Sequence, residues 1–281
     1  MRLGVRAHDF GKQSVEELAT KISGKGYKSI QLALNKALAG ISYDNGKLSP
    51  GLANYIYRSF DKYGIQIAVL GCYINPVHPD GELRRSQLER FKEHIRYARD
   101  FGCSIVATET GSLNADFSFH PENHGEGAFK LLLESLRELV EEAEKFGVMV
   151  GIEGVSHYVM NNPERIKRTL DELNSNNVQI VFDPVNLLTI DNYHKQEEVV
   201  KEAFELFGDR IAVLHAKDFI IENNKVKSVQ AGEGLFNYDF AFKLLREKKP
   251  FIDILMENAS LDIMDRGIAF LKDKYNSRCK V

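Results

Sequence analysis

Four residues in the second half of the chain have side chains of the types that ligate divalent metals: Glu153, Asp183, His215 and Glu257. Each lies at or near the end of a short apolar run, VMVGIE (148–153), VQIVFD (178–183), IAVLHAK (211–217) and FIDILME (251–257), and an earlier run, SIVATE (104–109), ends in Glu109. Burying a carboxylate is costly unless it is paired, protonated or bridged by a cation. Taken singly, each residue has another use. Glu153 or Glu257 could pair with a lysine, Asp183 could cap the loop ahead of Pro184, and His215 could be a hydrogen-bonded core histidine. Brought together, three carboxylates and one imidazole form a mixed oxygen and nitrogen set suited to one divalent ion, with positions left for substrate oxygens. So many oxygen ligands favour Mn²⁺, and Co²⁺, Mg²⁺ and Zn²⁺ also fit such a set.

Bringing them together requires elements that end on one face. Eight β-rich runs alternate with longer segments of helical periodicity: the five above plus LGVRA (3–7), SIQLAL (29–34) and IQIAVLG (65–71). Leu83–Phe101 and Phe129–Phe146 place leucines and aromatics at three- and four-residue spacing, as helices packed on a sheet do. Ser14 with Glu17 forms a capping box, and Ser49-Pro50 and Asn162-Pro163 mark two more helix starts. The helix ends repeat as KYG (62–64), DFG (100–102), KFG (145–147) and LFG (206–208), with Asn176 or Asn177 taking the glycine's place after another helix. Eight βα units over residues 1–281, without a linker or composition break, predict an α/β fold, a single-domain (β/α)8 TIM barrel. A doubly wound sheet would want a glycine-rich phosphate turn after its first strand; the chain has RAHDFGKQS there.

In such a barrel the strands' C-terminal ends open onto the active-site face, which predicts that Glu109, Glu153, Asp183, His215 and Glu257 share one rim. Lys217 points the same way as His215 by strand alternation, towards substrate or a neighbouring acid such as Asp218. His157, on the loop after Glu153, is placed to reach a substrate, with Glu109 and the rim residue His8 as further substrate-binding candidates. The other histidines, His78, His94, His120, His124 and His194, read mainly as loop or helix-surface residues, and Cys72 as a packing residue without an evident base partner.

The net charge of −3 offers no broad positive field for nucleic acid. No run approaches the roughly 18 apolar residues of a membrane span, and the N-terminus lacks a signal-like apolar segment. Three widely spaced cysteines, Cys72, Cys103 and Cys279, suggest neither a disulfide framework nor a thiolate zinc site. A cytoplasmic protein acting on small molecules is the expectation. Association into a homo-oligomer stays open.

With these residues in place, the chain resembles the xylose-isomerase-like TIM barrels: sugar isomerases, ketose 3-epimerases, inosose dehydratases and barrel-type apurinic endonucleases. The resemblance rests on Glu153 in VGIEG, Asp183 in VFDPVN, His215 in VLHAKD, the GEG of Gly232–Gly234 and Glu257 in ILMEN. The endonuclease branch would need extra histidines where this chain has Gly71-Cys72, Glu109 and Asn186. The ketose-epimerase branch usually has a histidine near Asn186, here read as substrate-binding, and an arginine where Lys217 stands. The resemblance implies an isomerase or epimerase of a small sugar or polyol ketone, working through a metal-bound cis-enediolate with Glu153 and Glu257 as the acid/base pair. Loss of a β-hydroxyl from the same species would make it an inosose-type dehydratase. A non-catalytic sugar- or metal-binding barrel is the alternative of another class.

Overall fold

All eight expected strands form in the computed structural model, which describes residues 2–277. They are β1 (Arg2–Arg6), β2 (Ser29–Leu32), β3 (Gln66–Gly71), β4 (Ile105–Glu109), β5 (Met149–Glu153), β6 (Val178–Phe182), β7 (Ile211–Ala216) and, last in the barrel, β10 (Asp253–Met256). The sheet is parallel and closes on itself in the order β1-β10-β7-β6-β5-β4-β3-β2. This is a single-domain (β/α)8 barrel. Cys279 lies outside the described residues, and Cys72 and Cys103 are free and buried. Among the described residues no helix is long and apolar enough to cross a membrane.

The helices start where their caps require. Ser14 and Glu17 make the reciprocal capping box of α1 (Val15–Gly24). After the single-turn α2 (Leu34–Ala37), Ser49 caps α3 (Pro50–Asp61). Next come α4 (Gly81–Tyr97), whose N-cap is Asp80, and α5 (Glu126–Phe146). Asn162 caps α6 (Pro163–Leu173). Their apolar faces, with those of α7 (Gln196–Phe207), α8 (Tyr238–Lys248) and α9 (Met264–Asn276), form one continuous core around the sheet.

The helix ends depart from expectation twice. Gly64, Gly102 and Gly147 are left-handed as predicted. Gly208, however, has φ −57° and runs on into a short 3-10 turn. After α6 the left-handed residue is Asn174, at φ 46°, not Asn176 or Asn177. Two further strands had no counterpart in the sequence reading: β8 (Asp218–Glu222) and β9 (Lys225–Val229) pair antiparallel as a hairpin. Its two-residue turn is Asn223-Asn224, with φ 51° and 58°, the left-handed pair that asparagine tolerates and a twisted hairpin prefers.

Strand alternation positions the site. A separate apolar cluster inside the barrel includes Ile105, Ala107, Val181, Val213 and Leu255. Two residues further along the same strands, on the same face, stand Glu109, Asp183, His215 and Glu257, with Lys217 next after His215. On β5 the interior place below Glu153 is Gly151, where a Cβ would meet Ile105 Cγ2 at 2.9 Å and Ala107 Cβ at 3.0 Å. Glycine there lets the strand pass through the narrow interior and deliver a carboxylate at the rim. The same step leads from Gly4 to Arg6 and from Ser29 to Gln31, which lie side by side in the β1–β2 register.

Candidate active site

Glu153, Asp183, His215 and Glu257 converge as expected: one potential ligand atom from each lies within 4.8 Å of all the others, and all four residues are buried. The three carboxylates are nevertheless already compensated. Lys217 Nζ lies 3.0 Å from both Asp183 Oδ2 and Glu257 Oε2 and donates to Asn186 Oδ1 at 2.6 Å. Arg6 donates to the other oxygen of Glu257 and also holds Asp9. Lys217 therefore pairs with the site's acids and not with Asp218. Asp218 turns away to accept from the backbone N–H groups of Gly232 and Phe236, at 3.1 and 2.7 Å. Gly234 packs so closely on that carboxylate that a Cβ would come within 2.4 Å of Asp218 Oδ1.

Asp183 fills both roles considered for it. Its Oδ1 caps the following turn, accepting from Val185 and Asn186 N–H at 2.9 and 3.1 Å. Its Oδ2 faces the cluster, fully buried and without a hydrogen-bond donor; the contact with Lys217 is charge to charge. Glu153 Oε1 accepts from Asn186 Nδ2 at 2.7 Å and lies 3.2 Å from His215 Nδ1. The opposite ring nitrogen, His215 Nε2, meets Gln31 Oε1 at 2.7 Å.

The electrostatics follow from this crowding. Burial pushes the Asp183 carboxyl up to about 7, although Lys217 pulls the other way. Glu109, beside Glu153 in the β4–β5 register, is pushed up to about 7 by burial and by the charges of Glu153 and Glu257. For Glu257 burial is outweighed by Lys217 and Arg6, which hold it well below the usual carboxylate range. His215 is raised to about 9 because Glu153 outweighs the burial that would lower it.

The donor set fits a divalent ion. A metal held at 2.0–2.2 Å brings opposite ligand atoms to about 4.4 Å at most, so atoms within 4.8 Å need only small adjustments. The orphaned Asp183 Oδ2 is the oxygen that such an ion would satisfy.

The remaining candidates distribute unevenly. Asn186 stands inside the cluster. Glu109 is half-buried and makes no ion pair among the described residues. His8 is half-buried at the rim, edge-on to Tyr73 at 6.3 Å, with its Nδ1 buried and unpartnered. His157 is exposed on the loop after β5, against Tyr158. Two of the other histidines are buried and not on the surface: His78 accepts from the Asp80 N–H, and His94 of α4 bonds the Arg90 carbonyl through Nδ1 at 2.8 Å. His94 and Arg90 line one small cavity with Cys72, so the thiol does have a base neighbour. Burial raises the Cys72 thiol, but these two neighbours leave it below the ordinary value.

Arg6 and Gln31 were missed altogether. Their signal was available, since each is a polar residue inside an otherwise apolar strand, the feature that marked Glu153.

Residues 20–274 match the family model described as xylose isomerase-like TIM barrel. The chain belongs to that family. Over 254 residues it is 24% identical to an uncharacterized protein of Methanocaldococcus jannaschii, the match spanning 88% of this chain and 80% of that protein. Among solved structures it is similar to a D-tagatose 3-epimerase-like protein, with a TM-score of 0.76 and 21% identity over 98% of this chain and 97% of the other. It is also similar to a probable 3-DHS dehydratase from Bacillus anthracis, with a TM-score of 0.73 and 15% identity over 99% of this chain and all of the other. At these identities the structural likeness speaks for the fold, which this family member shares with both.

Proposed function

We propose that the protein is a divalent-metal-dependent isomerase or epimerase of a small sugar or polyol ketone. The observation that carries this reading is the buried constellation itself: a ligand set for one cation that includes two glutamates from different strands. Glu153 and Glu257 sit on β5 and at the end of β10, three strands apart around the ring of eight, so that a substrate lying across the mouth has a carboxylate on each side.

Glu153, Asp183, His215 and Glu257 would hold the ion, with Mn²⁺ favoured over Co²⁺, Mg²⁺ and Zn²⁺. When bound it supplies Lewis-acid stabilisation of negative charge on a substrate carbonyl oxygen. The protein's own residues do the rest. One glutamate removes the proton from the carbon next to the carbonyl; the other returns a proton to the opposite face, which inverts that centre. Lys217 and Arg6 keep Glu257 ionised, the state a proton acceptor needs. Asn186 fixes the rotamer of Glu153 through its 2.7 Å hydrogen bond. Lys217, Asn186, Glu109, His8 and His157 are the substrate-binding residues in this reading, the last two from the rim.

If a single base moved the proton between adjacent carbons, the same site would interconvert aldose and ketose. If the enediolate expelled a β-hydroxyl instead, the site would be a dehydratase; the dehydratase among the similar structures supports keeping that outcome. The test is NMR of a ketose and cyclitol panel in D₂O with the Mn²⁺-loaded protein. Deuterium entering next to a carbonyl supports proton transfer, and the product distinguishes inversion, isomerisation and dehydration. Metal binding without exchange across the panel would instead favour a sugar- or metal-binding module.

A further inference from the structure

We propose that Gln31 is the positioning residue of the site: its side-chain amide sets the direction of a hydrogen-bond chain from His215 to Tyr73, presenting His215 Nδ1 to the cation and the Tyr73 hydroxyl proton to substrate. The inference rests on the metal site proposed above and adds to it two residues, neither of which was among the candidates.

The geometry is short and closed. Gln31 is 2% exposed on β2, next in register to Arg6. Its Oε1 lies 2.7 Å from His215 Nε2, and its Nε2 donates to the Tyr73 hydroxyl at 2.7 Å. An amide has one accepting end and one donating end, so the two contacts are not interchangeable. His215 Nδ1 faces Glu153 at 3.2 Å and Glu257 at 3.8 Å, where only a proton or a cation can lie between nitrogen and oxygen. For Nδ1 to give its lone pair to a metal, the ring's remaining proton must sit on Nε2, and Gln31 Oε1 is the acceptor that keeps it there. At the other end the amide N–H occupies a lone pair of the Tyr73 oxygen. The phenol's own hydrogen is then left free to point elsewhere.

Tyr73 is held as a neutral phenol. Burial and the charges of Glu153 and Glu257 push its ionisation well above the ordinary value. It also lies beside His8 and under the Lys36 ammonium, which sits 3.8 Å from its ring centroid. Tyr73 follows the end of β3, on the rim that a substrate would face in this reading.

Two substitutions at Gln31 separate this role from simple packing. Gln31→Leu removes both ends of the chain, whereas Gln31→Glu keeps the acceptor for His215 but makes the second oxygen an acceptor too, drawing in the Tyr73 hydroxyl proton. By calorimetry Gln31→Leu should bind Mn²⁺ roughly 10–100-fold more weakly than the parent, the usual loss when a ligand histidine's outer partner is removed. Gln31→Glu should bind at least as tightly as the parent. On any panel ketose that the parent turns over, Gln31→Glu and Tyr73→Phe should raise KM alike. Ring ¹⁵N spectra of the metal-free protein report the Gln31 hydrogen bond whether or not any sugar reacts: the His215 Nε2 signal should move in Gln31→Leu and stay in Tyr73→Phe. An unmoved signal in Gln31→Leu, or equal loss of Mn²⁺ affinity in both Gln31 variants, overturns the proposal. A moved signal with no turnover of any sugar would leave Gln31's role standing and remove the isomerase reading alone.

Discussion

Replacing Lys217 by methionine tests how the site survives without its cation. In the metal-free protein Lys217 is 5% exposed and is the positive group between two buried carboxylates, at 3.0 Å from each. Methionine fills a similar volume but leaves Asp183 Oδ2 without its cationic neighbour and Glu257 with Arg6 and, at 3.8 Å, His215. Removing one member of a buried ion pair costs about 3–5 kcal/mol, because the charge left behind has lost its compensation. At about 2.1 cal/mol/K of unfolding entropy per residue, a chain of 281 residues has roughly 0.6 kcal/mol/K, so this cost lowers the melting temperature by about 5–8 °C. Differential scanning calorimetry in chelator at neutral pH reads it. Lys217 also opposes a divalent ion at the same oxygens, so Lys217→Met should bind Mn²⁺ more tightly than the parent and recover stability on loading, by about 2.7 kcal/mol at a hundredfold excess over Kd. A melting temperature within about 2 °C of the parent in chelator, together with unchanged Mn²⁺ affinity, would refute the reasoning.

Glu257→Gln keeps the shape of the side chain and its contact with Lys217 while removing the proton acceptor; circular dichroism should be unchanged and solvent exchange into a reactive ketose should fall at least a hundredfold. Asp218→Ala leaves the Gly232 and Phe236 N–H groups without their buried acceptor, which should destabilise the protein by about 2–4 kcal/mol in denaturant melts. The Cys103 thiol, raised by burial to about 11, retains its proton in the folded chain after the unfolded chain has lost it. Its contribution is therefore present below pH ~9 and lost as pH rises to ~11, on the order of 3 kcal/mol over that range. Cys103→Ala should flatten the stability profile in that window.

Much of the fold could be read from the chain because each βα unit carries two independent signals, an apolar β-rich run and a helical segment with an apolar face, and some of the helices also start at a capping residue. Those signals agreed at all eight strands. The hairpin of β8 and β9 escaped because KDFIIENNKVKSV alternates only weakly and is polar on one side. Its Asn-Asn turn was the readable cue. Gly208 misled because the Phe204 ring packs on it, where a Cβ would meet Cδ1 at 3.3 Å, and the chain continues right-handed there.

At the site, acids and a histidine at the strand ends mark the four converging residues, whereas the groups that compensate their charge carry no such mark. Lys217 stands two residues beyond His215, but Arg6 and Gln31 lie on β1 and β2, strands that end without an acid, and only their polarity within an apolar run marks them. His94, expected mainly at the helix surface, is buried, and its three-residue spacing from Phe91 on the apolar stripe of α4 was the readable cue.

Whether the buried cluster is a metal-dependent proton-transfer site is tested most directly by deuterium uptake into a ketose in D₂O, followed by NMR as Mn²⁺ is titrated into chelator-treated protein. The account predicts no uptake without metal and a rise that saturates at one ion per chain, absent in Asp183→Asn and His215→Ala. Uptake at full rate in the chelated protein, or saturable binding of one Mn²⁺ with no uptake by any ketose or cyclitol, would contradict it.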